Sequence, residues 1–174
     1  EADGVALDDA LAALTFTHSA GVDQFATIAR FRAARRCWDR VAAACGSDAR
    51  GQHQTAVSSA TLLTRRDPWV NLLRGTVAAF AAGVAGASAV TVRPFDAAIG
   101  TPDGLGRRLA RNTQLLLAEE SGLSRVLDPA GGSWYVEDLT DRLAEAAWER
   151  FRSIEADGGV LAALASGRVA AEVD

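Results

Sequence analysis

His18 and His53 are the only imidazoles in this sequence, and Cys37 and Cys45 are its only thiols. A general acid or base of the usual kind near neutral pH must therefore be one of those two histidines. His18 falls near the C-terminal end of a β-branched run, the end at which barrel enzymes place their chemistry. The plainer expectation for it is a partly buried structural histidine. His53 precedes a second such run in a polar stretch, which suits a surface role. Thr55, Ser58 and Ser59 offer hydroxyls to a ligand hydroxyl or phosphate, but no acid or base adjoins them in sequence, so nucleophilic catalysis is not expected. Cys37 and Cys45 lie on one predicted helix with Cα atoms ~12 Å apart, beyond the ~7 Å limit of a disulfide. Both are expected to be reduced fillers, and with the histidines they match no zinc spacing, so no metal site is expected.

Guanidinium groups are more plentiful. Arg30, Arg32, Arg35, Arg36 and Arg40 crowd one predicted helix, as a solvated face or as donors for inter-subunit ion pairs. Arg107, Arg108 and Arg111 surround the start of another, where capping and pairing with Glu119 or Asp103 compete with a phosphate contact. Gly83-Xaa-Xaa-Gly86 follows a helix and enters a strand, the reverse of a phosphate loop. Asp128-Pro129-Ala130-Gly131-Gly132-Ser133 reads as a sharp turn, with a ligand-facing loop as the alternative.

Four strand-like runs must position these groups: Leu14–His18, Thr55–Ser59, Ala89–Val92, and Arg125–Leu127 with Trp134–Val136. Each precedes a helical pattern. Asp23 to Ala44 carries Phe25, Ile28, Phe31, Trp38 and Val41 at helical spacing. In Asp67 to Val84, Asp67 is placed to cap a helix starting at Pro68. Trp69, Leu73, Val77, Phe80 and Val84 then form one apolar face, and Gly83 and Gly86 end it. Asp103 to Glu120 is the third. Thr140 caps the last long helix, Gly158-Gly159 stops it, and a short helix around Val160–Ala165 ends near Gly167.

Strand-then-helix four times over implies a parallel sheet with right-handed crossovers. The 174 residues fit one domain but fall short of the ~250 of a complete (β/α)8 barrel. The predicted fold is α/β, half of a (β/α)8 TIM barrel with about four parallel βα units. Residues 1–174 are taken as a single partial domain whose open sheet edges need completion elsewhere. A net charge of −4 argues against nucleic acid as a partner. No uninterrupted apolar run of ~18 residues suggests a membrane span. The start, Glu1-Ala2-Asp3-Gly4, has no signal-peptide pattern, which makes cytoplasmic the expected location.

Four ordered segments carry a family likeness. They are Phe25–Trp38, Thr64-Arg65-Arg66-Asp67-Pro68-Trp69-Val70-Asn71-Leu72-Leu73-Arg74 with Ala89-Val90-Thr91-Val92-Arg93-Pro94-Phe95-Asp96, Arg107–Gln114 with Glu119-Glu120-Ser121-Gly122, and Asp128–Thr140. From about Leu14 to Gly167 the chain resembles the C-terminal half of the substrate-binding barrel of the methylmalonyl-CoA mutase family. The resemblance implies a part in the cobalamin-dependent interconversion of methylmalonyl-CoA and succinyl-CoA. There the barrel positions the thioester and shields radicals from water.

Three departures qualify what the resemblance implies. Catalytic chains usually read Arg-Thr-His-Xaa-Gln-Thr-Ser on the sixth strand, and the position of that substrate-contacting His falls on Thr55. His53 is the weak substitute, two residues earlier on the same face. On the seventh strand His-Thr-Asn-Xaa-Phe/Leu-Asp-Glu-Ala becomes Thr91-Val92-Arg93-Pro94-Phe95-Asp96-Ala97-Ala98, so Ala97 replaces the acidic contact to the nucleoside of the cofactor. No Asp-Xaa-His-Xaa-Xaa-Gly cobalt-ligating sequence occurs, and no cobalamin-binding domain is expected within these residues. These losses resemble the non-catalytic small subunit of heterodimeric bacterial enzymes. The expectation is a structural chain, inactive alone. Its partners would be a catalytic subunit or the missing half-barrel, with acyl-CoA substrate and adenosylcobalamin in the parent complex and none of that cofactor held by this chain alone. The alternatives are an excerpt of an active acyl-CoA mutase using Thr55 and His53, or a half-barrel interaction module without ligand contact.

Overall fold

The computed structural model describes residues 4–48 and 51–173. Three strands, β1 (Thr15–Ala20), β2 (His53–Ser58) and β3 (Ala89–Thr91), pair in parallel in that order. Thr17 stands beside Thr55, and Thr55 beside Ala89. Alternation sends Gln54, Ala56 and Ser58 toward the helices, where they are buried. His53, Thr55 and Val57 look the other way, with Thr15, Thr17 and Ser19 beside them.

The helices α2 (Gln24–Ala44) and α3 (Val70–Val84) cover the buried side of the sheet. Asp23 caps α2 by accepting a hydrogen bond from the Ala26 amide at 3.0 Å. Ile28 and Phe31 of α2, Ala56 of β2, Ala78 and Ala82 of α3, and Val136 form the main core. After β3, Asp103 accepts from the Gly106 amide at 2.7 Å and starts α4 (Gly104–Leu115), which runs into a π-helical turn at Leu116–Glu120. Then come α5 (Trp134–Ala156), α6 (Gly159–Ala165) and α7 (Arg168–Val173). A short α1 (Leu7–Ala12) precedes β1.

The α/β class and the parallel sheet agree with the sequence reading, but the fourth strand does not form. Leu123–Arg125 is a 3-10 turn, and Trp134 to Val136 open α5 instead. Glu137 and Asp141, one turn apart on α5, pair with Arg32 and Arg36 on α2, which requires a helix there. Thr140 consequently lies inside α5, fully buried, and caps nothing.

Asp67 does not cap α3 either. It sits at φ 50°, the left-handed region, and turns the chain so that only its backbone carbonyl meets the Val70 amide. The expected apolar face of α3 holds only in part, with Val84 buried and Val77 half-buried. Trp69, Leu73 and Phe80 are exposed, while Gly75, Ala78, Ala79, Ala81 and Ala82 are buried. Small side chains let the α3 backbone approach the sheet and α2 closely, so packing overrides bulk. Gly83 lies within α3, whereas Gly86 at φ 80° ends it.

Candidate functional site

The face of the sheet turned away from the helices is lined by small and hydroxylic side chains. Thr17 and Thr55 share a hydrogen bond across it, with their Oγ1 atoms 2.9 Å apart. Barrel interiors are commonly filled by Val, Ile and Leu. This face keeps only Val57 of that kind among the residues of β2 that point into it. His53 heads the same face at the first residue of β2, exposed, so it sits at the N-terminal end of the strand. Thr55 lies one alternation further, ~6.6 Å along the strand. Ala97 lies beyond β3 in the turn that follows Asp96. The structure thus brings His53 and Thr55 to one face, leaves Ala97 off it, and sends His18 to the other.

His18 packs against Phe31 with ring centroids 5.0 Å apart, and its Nε2 is buried without a partner. Burial first, then the positive charges of Arg30 and Arg35, hold its pKa below 6.5, with a hydrogen bond to Gln52 opposing them. A histidine whose folded pKa is lowered takes its proton more readily when unfolded. Its neutral form therefore stabilises the fold above the unfolded pKa, and stability falls as pH drops through and below it. Urea midpoints measured at about pH 7.5 and about pH 5.5 should show less loss in His18→Leu than in the wild type. Equal losses would assign the pH dependence to other groups.

The C-terminal rim of the sheet is held by groups that periodicity could not reveal. Asn71, 2% exposed, receives the Thr64 amide on Oδ1 at 3.0 Å and donates from Nδ2 to the Thr64 and Phe95 carbonyls, both at 2.9 Å. It clamps the loop after β2 to the loop after β3. Arg74 adds donations to Thr64 Oγ1 at 3.0 Å and Asn71 Oδ1 at 3.2 Å. Ser58 Oγ accepts from the Arg93 amide at 2.8 Å, and Arg93 Nε donates to the Ser58 carbonyl at 3.0 Å. The only advance sign was the juxtaposition of Ser58-Ser59 and Arg93-Pro94 with strand ends.

In the arginine run of α2, Arg30, Arg36 and Arg40 are exposed, as a solvated face requires, and the run is also engaged within the chain. Arg32 pairs with Asp128 and Glu137, Arg36 pairs with Asp141, and Arg40 lies 4.2 Å over the Trp148 ring. These contacts join α2 to α5 and, through Asp128, to the turn before it. Burial would lower the Arg32 pKa, but the hydrogen bonds to Asp128 and Glu137 prevail and raise it. The Gly132 amide, followed by Arg32, lowers the pKa of Glu137. Arg35 has no such acid. Its Nη1 and Nη2 reach Gln54 Oε1 at 2.5 Å and the Ala85 carbonyl at 2.6 Å, and burial lowers its pKa. Asp128 at φ 46° and Gly132 at φ 78° make the turn expected of that segment. Both cysteines are free, and burial raises the Cys37 pKa. Arg107 donates to the Pro102 carbonyl, and neither Glu119 nor Asp103 forms an ion pair among the described residues. No cluster of three or more His, Cys, Asp or Glu able to hold a metal occurs among the described residues. No helix there is long and apolar enough to cross a membrane.

A family model described as methylmalonyl-CoA mutase matches residues 1–174. The chain is similar to the methylmalonyl-CoA mutase small subunit of Streptomyces virginiae, 59% identical over 167 residues that cover 95% of this chain and 27% of that protein. It is 45% identical over 174 residues to the small subunit from Propionibacterium freudenreichii subsp. shermanii, covering 98% and 27%. Against the methylmalonyl-CoA mutase of Escherichia coli (strain K12) it is 36% identical over 169 residues, covering 94% and 23%. The chain spans about a quarter of the length of these curated relatives.

Proposed function

Because the chain belongs to the methylmalonyl-CoA mutase family, we propose that it supplies part of a (β/α)8 barrel in a cobalamin-dependent mutase that interconverts methylmalonyl-CoA and succinyl-CoA. Its type is that of the non-catalytic small subunit, whose partner is a catalytic mutase subunit. Residues 1–174 form one partial domain, the C-terminal half of the barrel. The outer edges of β1 and β3, unpaired among the described residues, are completed by strands from outside this sequence.

One observation carries the assignment of role. At the position where catalytic chains place the substrate-contacting His stands Thr55, its hydroxyl already bonded to Thr17. A hydroxyl with a pKa far above neutrality neither gives nor takes a proton as imidazole does. His53 is no replacement, since it sits at the opposite end of β2 from the C-terminal rim. Ala97 supplies no carboxylate for a nucleoside.

The residues present do not fit a bound cobalamin. His18 is packed against Phe31 beneath α2 and His53 stands at the N-terminal strand end, so neither imidazole is placed to ligate cobalt at the rim. In this reading the chain's own work is architectural. Its hydroxylic sheet face forms part of a lumen with space for an acyl-CoA arm, and its rim network fixes two βα loops.

The test is turnover. The intact natural chain, purified alone with adenosylcobalamin and methylmalonyl-CoA, is expected to make no succinyl-CoA. With a catalytic-type subunit it should co-elute as a stable complex that turns over. Turnover by the chain alone would overturn the proposal, as would failure to associate.

A further inference from the structure

We propose that α5 is a strap anchored at its first turn, which lifts from α2 between Asp141 and Ala156 while the rest of the chain stays folded, and so uncovers the Cys37 thiol. The anchor is firm. Val136 is 2% exposed within the main core. Arg32 on α2 holds the turn before α5 through Asp128 and the first turn of α5 through Glu137. Glu137 also accepts from the Gly132 amide at 3.1 Å. Past Thr140 the character of the contact changes. Among the described residues, none from Asp141 to Ala156 of α5 is buried.

What lies under that length of α5 gives it little apolar grip. Ala29, Ala33 and Cys37 recur at four-residue spacing, so they form one row of small side chains along α2. The Cys37 thiol donates to the Ala144 carbonyl of α5 at 3.6 Å, which places that row beneath the strap. A cavity of about 370 Å³ opens between the two helices, lined by Cys37, Arg40, Ala144 and Trp148 among others. Apolar stabilisation scales with the area removed from water, and a gap forfeits dispersion contacts as well. Charge does the remaining holding. Arg36 pairs with Asp141, their side chains 49% and 58% exposed, and Arg40 lies 4.2 Å over the Trp148 ring. Ion pairs so exposed are weak and are screened by salt. Thr140 Oγ1 is buried without a partner, and water reaches it when the neighbouring turn lifts, which favours the open form. Few buried apolar contacts and exposed polar ones mark the segments that open locally in a folded protein.

The intact natural chain is labelled with N-ethylmaleimide, an uncharged reagent on which salt has little hold. Tryptic peptides separate Cys37-Trp38-Asp39-Arg40 from the Val41–Arg50 peptide that carries Cys45. Cys45 is exposed, so the rate at Cys37 is read against it. At low salt Cys37 should label more slowly than Cys45. Raising NaCl from about 0.01 M to about 1 M shortens the Debye length from about 30 Å to about 3 Å. The relative Cys37 rate should then rise about threefold or more. Asp141→Asn should label that fast already at low salt and lose most of the salt response. Arg142→Gln, which breaks a pair with Asp138 inside α5, should match the wild type. In urea below the unfolding transition, the Cys37 rate should climb with a slope well under that of global unfolding, because a lifting strap exposes little surface. Equal labelling of the two thiols at low salt would overturn the strap, since Cys37 would then be uncovered throughout. A Cys37 rate indifferent to both salt and Asp141→Asn, or one that follows urea with the full slope of global unfolding, would overturn it as well.

Discussion

Asn71→Asp is expected to lower the unfolding free energy by about 3–5 kcal/mol, although the two side chains are nearly isosteric. The Asn71 amide uses both hydrogens, on the Thr64 and Phe95 carbonyls, while Oδ1 receives the Thr64 amide and Arg74. A carboxylate keeps the accepting side and reverses the other. An oxygen would then face two carbonyl oxygens at 2.9 Å in a site that is 2% exposed. Arg74 offsets part of the new charge but cannot supply the lost donors. Asn71→Ser, which keeps a donor but cannot span the gap, should cost less, about 2 kcal/mol. Urea unfolding of the intact natural chain decides the matter through the midpoint at constant slope. A loss under about 1 kcal/mol would show that Asn71 does not clamp these loops.

The contrast between Asn71 and the helices it joins explains how much of this fold was legible. The helical spacing from Asp23 announced α2, and the β-branched runs announced β1, β2 and β3, because period and alternation are local. The end of α5 just before Gly158-Gly159 was equally plain. What failed was whatever depended on a distant partner. The fourth strand, Arg125–Leu127 with Trp134–Val136, looked extended, yet Trp134 to Val136 open α5, whose Glu137 and Asp141 bind arginines on α2, more than a hundred residues earlier. Apolar bulk on α3 pointed to Trp69, Leu73 and Phe80 as the inner face, but alanines permit the closer packing. At the candidate site, the face shared by Thr55 and His53 followed from strand period alone. The grip of Ser58 on Arg93 spans two strands and could not be read from either one.

Gly106→Ala poses the opposite problem, because local and tertiary terms disagree in sign. In an open helix position the change stabilises by about 1 kcal/mol. Here an added Cβ would lie 2.7 Å from Cγ and 2.8 Å from Oδ2 of Asp96, closer than such atoms ever stand. Asp96 is short, 9% exposed and tied through Oδ2 to the Asp103 amide at 2.9 Å, so it cannot swing aside without releasing the start of α4. Net destabilisation of about 2–3 kcal/mol is expected. Gly83→Ala supplies the comparison, since its Cβ would meet only the side chain of Leu123, a flexible and partly exposed neighbour. That variant should lose under about 1 kcal/mol. The discriminating measurement is a double-mutant cycle with Asp96→Ser, which shortens the obstructing side chain. The two changes together should cost at least about 1 kcal/mol less than the sum of their separate costs. Additive losses would mean that Gly106 is required for some reason other than the Asp96 carboxylate, and that the buried acid does not set the entry of α4.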